Sequence, residues 1–73
     1  MVTLVPVGFL KEFVGGREWL ELDAGPSVAE MLVSVGIPPA VVAAVLREDE
    51  LVTKEYRPRD GERIKVMAVV GGG

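Results

Sequence analysis

A chain of 73 residues, 49% of them hydrophobic and 26% charged, supports one globular domain with one modest core and is not the composition of a disordered segment. Its net charge of −3 argues against a nucleic-acid-binding role, which needs a basic face, and suits a meeting with a basic partner surface. The absence of cysteine and histidine excludes disulfides, thiol nucleophiles, zinc sites of the usual kind and imidazole acid–base chemistry, and is consistent with the cytoplasm.

Met1-Val2-Thr3-Leu4 opens without a basic region or a long apolar run, so neither a signal peptide nor a transmembrane helix is expected. Residues 2–7 are β-branched and apolar and predict a strand, ended or bulged at Pro6, which has no N–H for a sheet ladder. Phe9, Leu10, Phe13 and Val14 have helical spacing over a turn or two, stopped by Gly15-Gly16. Arg17 to Leu22 alternates as a second strand, with Leu20 and Leu22 turned to the core and Arg17, Trp19 and Glu21 turned away. The two glycines suit the connection of a long hairpin.

After the loop Asp23-Ala24-Gly25-Pro26, Ser27 and Glu30 form a capping box at a helix start. Val28, Met31, Leu32 and Val35 then fall on one helical stripe, Gly36 caps the C-terminus and Pro38-Pro39 forbids continuation. The run from Ala40 to Leu46 is apolar throughout and is compatible with a helical turn followed by a buried strand. Glu48-Asp49 reads as a turn before a short strand over Glu50 to Thr53, Tyr56 stands alone in a polar stretch, and Asp60-Gly61 is a strong turn signal. Arg63 to Val70 is the last strand, with Ile64, Val66 and Ala68 on one face and Lys65, Met67 and Val69 on the other. Strands on both sides of one helix predict an α+β fold, a mixed sheet with the helix across one face and the first and last strands side by side at its centre.

No residue pattern in the body supports catalysis. Ser27 is explained as a cap, Gly15-Gly16 lacks the spacing of a phosphate loop, and the run Glu48-Asp49-Glu50 is a solvated turn with too few ligands for calcium. No metal site is expected. Two features remain. Trp19, Met67 and Val69 fall on the sheet face that the helix leaves open, where an apolar patch marks an interaction site; the alternative is that Trp19 folds over its own sheet. The chain also finishes in Gly71-Gly72-Gly73. These glycines have no side chain to bury and lose much entropy on ordering, so a thread is expected to leave the body and carry the Gly73 carboxylate roughly 10 Å outward. Frayed termini are common, so the tail by itself does not establish a role.

In their order these features resemble the ubiquitin-like sulfur carriers of the ThiS/MoaD type. Gly8-Phe9-Leu10-Lys11-Glu12, a glycine turn and Trp19-Leu20-Glu21-Leu22 look like the molybdopterin-synthase small subunit. Asp60-Gly61-Glu62-Arg63-Ile64 and Ala68-Val69-Val70-Gly71-Gly72-Gly73 look like the thiamine-thiazole carrier. Glu48-Asp49 departs from the family's asparagine–glycine turn; both residues disfavour positive φ, so a wider turn is expected. The resemblance implies a β-grasp domain over residues 1–70 and a flexible glycine tail over 71–73. It implies a carrier rather than an enzyme, with no bound cofactor, whose Gly73 carboxylate is adenylated by an ATP-dependent activating enzyme and converted to a thiocarboxylate by a persulfide donor. The sulfur would pass to a thiazole or pterin precursor held by a thiazole synthase or the molybdopterin-synthase large subunit. Trp19, Met67 and Val69 would dock these partners. Alternatives are a ubiquitin-like modifier joined to lysines through Gly73, an obligate subunit completing another enzyme's active site, and an interaction module with an inert tail.

Overall fold

The computed structural model describes residues 1–68. In chain order these form β1 (Val2–Pro6), a 3₁₀ helix (Gly8–Val14), β2 (Leu20–Leu22), α1 (Val28–Val35), a 3₁₀ turn (Pro39–Val41), β3 (Val42–Arg47), β4 (Glu50–Val52) and β5 (Arg63–Ala68). The sheet order is β2-β1-β5-β3-β4. β1 and β5 run parallel and the other pairs are antiparallel, so this is the mixed α+β sheet expected, with the first and last strands adjacent. Val69, Val70 and Gly71 to Gly73 lie outside the described residues, as does the expected boundary between domain and tail.

One sheet face is closed. Val2 and Leu4 of β1, Val42 and Val45 of β3, and Ile64 and Val66 of β5 join Val28, Met31 and Leu32 of α1 in a single buried core, completed by Leu10 and Ile37. Val42 and Val45 are three residues apart, which strict alternation cannot bury together. A register shift between Val42 and Ala44 against β5 supplies the extra residue and returns Val45 to the inner face.

The helix start is built as the sequence predicts. The Glu30 N–H donates to Ser27 Oγ (3.2 Å) and the Ser27 N–H donates to Glu30 Oε1 (2.8 Å). The next free amides, Val28 and Ala29, donate to the carbonyls of Tyr56 and Lys54 (both 2.9 Å), which ties α1 to the loop feeding β5. Gly36 closes the helix at φ 90°, a left-handed conformation suited to glycine.

Pro6 ends β1, and backbone parity explains why it is tolerated. The Thr3 N–H donates to the Glu62 carbonyl and the Val7 N–H to the Val66 carbonyl (both 3.0 Å), so odd-numbered residues of β1 point their amides at β5. Even-numbered ones point at β2, whose last pair is Leu4 with Leu20. The next such pair would be Pro6 with Glu18, and Pro6 has no amide to give. This corrects the expected second strand: β2 begins at Leu20 rather than Arg17, and Glu18 instead accepts an ion pair from Lys11 (3.0 Å).

The β3–β4 turn is also a correction. Arg47 pairs with Glu50, so the loop is the two residues Glu48 and Asp49, both with positive φ (49° and 71°). Pairing of β4 with β3, locked by the Arg47–Glu50 ion pair, outweighs the local preference of those residues.

Candidate functional site: the open face of the sheet

Alternation along β5 turns Arg63, Lys65 and Met67 to the face opposite α1 and buries Ile64 and Val66. β5 is the middle strand of the five, so the described chain ends at Ala68 in the centre of the sheet. Its last partner is Val42, beside the bulge in β3. Bulges re-aim strands at functional edges.

The register sets the composition of this face. One row crosses Glu21, Thr3 and Arg63, and the next crosses Val5, Lys65, Leu46 and Leu51. Met67 lies opposite Ala44, one step closer to the tail. Trp19 is 53% exposed, Met67 36% and Leu51 70%, so the face offers apolar surface from one edge of the sheet to the other. Trp19 does not fold over as a cover; it borders a shallow depression with Thr3, Glu21 and Arg63. Trp19 and Met67 thus share the face, as alternation predicts, while Thr3 and Arg63 rather than Met67 border Trp19. Val69, expected beside Met67, lies outside the described residues, as do Gly71, Gly72 and Gly73.

Leu46 and Leu51 belong to this surface and sequence reasoning did not single them out. The signal was present in the alternation of two strands flanking Glu48-Asp49, but reading it needs the two-residue register. A second apolar feature is the exposed pair Phe9 and Phe13 on the 3₁₀ helix, with ring centroids 6.4 Å apart. Only Leu10 of that helix is buried, since a tight helix of seven residues gives the core one contact line.

Charge on the face is mixed. Arg63 and Lys65 form no ion pair among the described residues and share a depression with Leu46, Glu48 and Asp49. Off the face, the foot of β5 is held by a polar cluster. Tyr56 Oη donates to Glu62 Oε1 (2.5 Å), and Arg47 Nη1 donates to Tyr56 Oη (3.3 Å) with its guanidinium over the ring. The Tyr56 hydroxyl and then the Arg59 amide hold the Glu62 carboxyl below the usual glutamate range. Tyr56 therefore organises the loop into β5, a role its isolated place in the sequence did not reveal.

The described residues contain no group of three or more side chains able to hold a metal, and no helix long and apolar enough to cross a membrane. What they present is a surface, and a central strand whose described residues end at Ala68.

The model of the ThiS family matches residues 7–73. Among solved structures, the crystal structure of the Amycolatopsis orientalis BexX/CysO complex contains a chain similar over 100% of both chains, at 26% identity and a TM-score of 0.77. SAMP1 from Haloferax volcanii is similar over 99% of this chain and 98% of that one, at 23% identity and a TM-score of 0.65, a likeness of fold. Comparison with curated proteins gave no match. The sheet order, the single helix and these likenesses make the fold the ubiquitin-like β-grasp.

Proposed function

This chain belongs to the ThiS family of ubiquitin-like sulfur carriers, and on that premise we propose that Gly73 is the group it carries sulfur on. The observation that carries this reading is the family match through residue 73, which includes the whole glycine run. The chemistry is that of an activated acyl group. The Gly73 carboxylate attacks the α-phosphate of ATP on a partner adenylyltransferase and pyrophosphate leaves. A persulfide sulfur attacks the acyl-adenylate carbonyl and AMP leaves. A second thiol then attacks the donor's own sulfur, a disulfide forms between those two as the bond to the carrier breaks, and a thiocarboxylate remains on Gly73. Gly71 and Gly72 carry no side chains, so only backbone has to enter the partner's channel. Trp19, Met67 and Val69 dock the body while the tail reacts, with Leu46 and Leu51 extending the same surface. A neighbour in a two-protein complex is in keeping with a carrier that works when bound.

The test is intact-mass spectrometry after incubation with a cognate activating enzyme, ATP and a persulfide donor. One oxygen-to-sulfur exchange at Gly73 is expected, absent when Gly72-Gly73 is deleted. An unchanged mass beside an enzyme that loads its own carrier would defeat the reading. For the acceptor we propose a thiazole or pterin precursor. Supplying the thiocarboxylate separately to a thiazole synthase and to a molybdopterin-synthase large subunit assigns the pathway by which one turns over.

A further inference from the structure

β2 is an outer strand, paired with β1 on one side and with no strand on the other among the described residues. Because even-numbered residues of β1 point their amides at β2, Leu20 and Leu22 exchange hydrogen bonds with Leu4 and Val2. Glu21 therefore turns both its N–H and its C=O outward. Beneath that edge, on the helix side, Val14, Leu20, Leu22 and Val35 line a groove with Arg17 and Glu21 at its rim. All four apolar residues are only half-buried. α1 commits Val28, Met31 and Leu32 to the core and ends at Val35, so the two β2 leucines expected in the core remain partly open.

We propose that this groove takes an extended segment of a partner protein, added to the sheet beside β2. Strand addition satisfies the outward backbone groups of Glu21 and drops alternate side chains into the groove. Charge specifies the segment. The residue paired with Glu21 projects beside its carboxylate and is a lysine or arginine. Its two neighbours face Val14, Leu20, Leu22 and Val35 and are aliphatic. Arg17 makes no ion pair among the described residues and calls for a carboxylate towards one end. A second copy of this chain is the wrong occupant, since β2 docked on β2 sets Glu21 against Glu21, and like charges directly opposite destabilise a pair. The apolar part of the groove lies on the helix side of the sheet, while the Glu21 side chain reaches the open face beside Trp19; occupancy of the groove does not depend on the chemistry of Gly73.

The experiment titrates the ¹⁵N-labelled full chain with a synthetic peptide carrying isoleucine–lysine–valine followed by two aspartates. Saturable amide shifts at Glu21, Leu22 and Val35 are expected, with slowed hydrogen exchange of the Glu21 amide. Glu21→Pro removes the outward N–H and the carboxylate together and leaves the ladder to β1 intact, so the fold survives and binding weakens by about tenfold or more. Arg17→Glu, a surface change with no folding cost, and a peptide with glutamate in place of its lysine weaken binding likewise. Absence of groove shifts at millimolar peptide, shifts centred on Lys65 and Met67 instead, or unchanged affinity in both variants overturns the proposal.

Discussion

Asp49 and Glu48 show most clearly what a single residue is made to do here. Both occupy the left-handed region, at φ 71° and 49°, where side-chain sterics penalise L-residues and glycine is free of the cost. Glu48→Asn combined with Asp49→Gly is therefore expected to stabilise the domain by about 1 kcal/mol, raising Tm by roughly 4–8 °C in a calorimetric melt. A lowered Tm would mean that the acidic pair makes contacts worth more than its strain. Trp19 is the opposite case. More than half exposed, it contributes little to the core, so Trp19→Ala is expected to change stability by less than about 0.5 kcal/mol. As the only tryptophan, it reports its own environment: fluorescence should be red-shifted in the free chain and blue-shifted on mixing with the activating enzyme. In adenylation kinetics Trp19→Ala should raise KM for the carrier and leave kcat near its original value, because docking rather than chemistry is lost. A fall in kcat alone would move Trp19 out of the docking role.

Among the elements, α1 is the one most fully specified by local sequence. Ser27→Ala removes the hydroxyl that accepts the Glu30 amide and is expected to cost about 1 kcal/mol, read by urea denaturation. The same cap makes stability depend on pH. The Ser27 amide and then its hydroxyl hold the Glu30 carboxyl below the usual glutamate range, as the Tyr56 hydroxyl holds Glu62. A carboxyl lowered in the folded state contributes stability above its unfolded pKa of about 4.3 and loses it as pH falls through the lower folded value. Stability is thus expected to decline on acidification below that point. Glu62→Gln and Glu30→Gln should flatten the decline, and a denaturation midpoint equally acid-sensitive in the double variant would assign the loss elsewhere. β2 is the element least specified by its own residues. Arg17 to Leu22 alternates well enough for six residues, yet three pair, because the limit is set by Pro6 on the neighbouring strand.

At the scale of the whole molecule, one small core carries nearly all the stability. Leu4 is fully buried on β1, between the β2 edge and β5, so Leu4→Ala is expected to cost about 2–5 kcal/mol, a large share of what a domain this size has to lose. Its denaturation should lose cooperativity, whereas a sharp transition near the original midpoint would show that the core repacks. The sequence by itself determined α1 with its caps and the inward and outward faces of β1 and β5, because strand alternation, the Ser27–Glu30 box, Gly36 and Asp60-Gly61 act through neighbours a few residues away. Its glycine run is also what led to the proposal that Gly73 carries the sulfur, and family membership is in keeping with that reading. Only the tertiary structure decided which residues share a surface. Leu46 and Leu51 meet Lys65 through a register that two unfavourable turn residues were forced to accept. Tyr56 finds Glu62 and Arg47 through a loop whose path no local rule fixes. The half-open leucines of β2 owe their exposure to where α1 ends. Pairing across the sheet is non-local, so residues far apart in the chain set one another's limits, and it is there that the groove beside Glu21 first becomes visible.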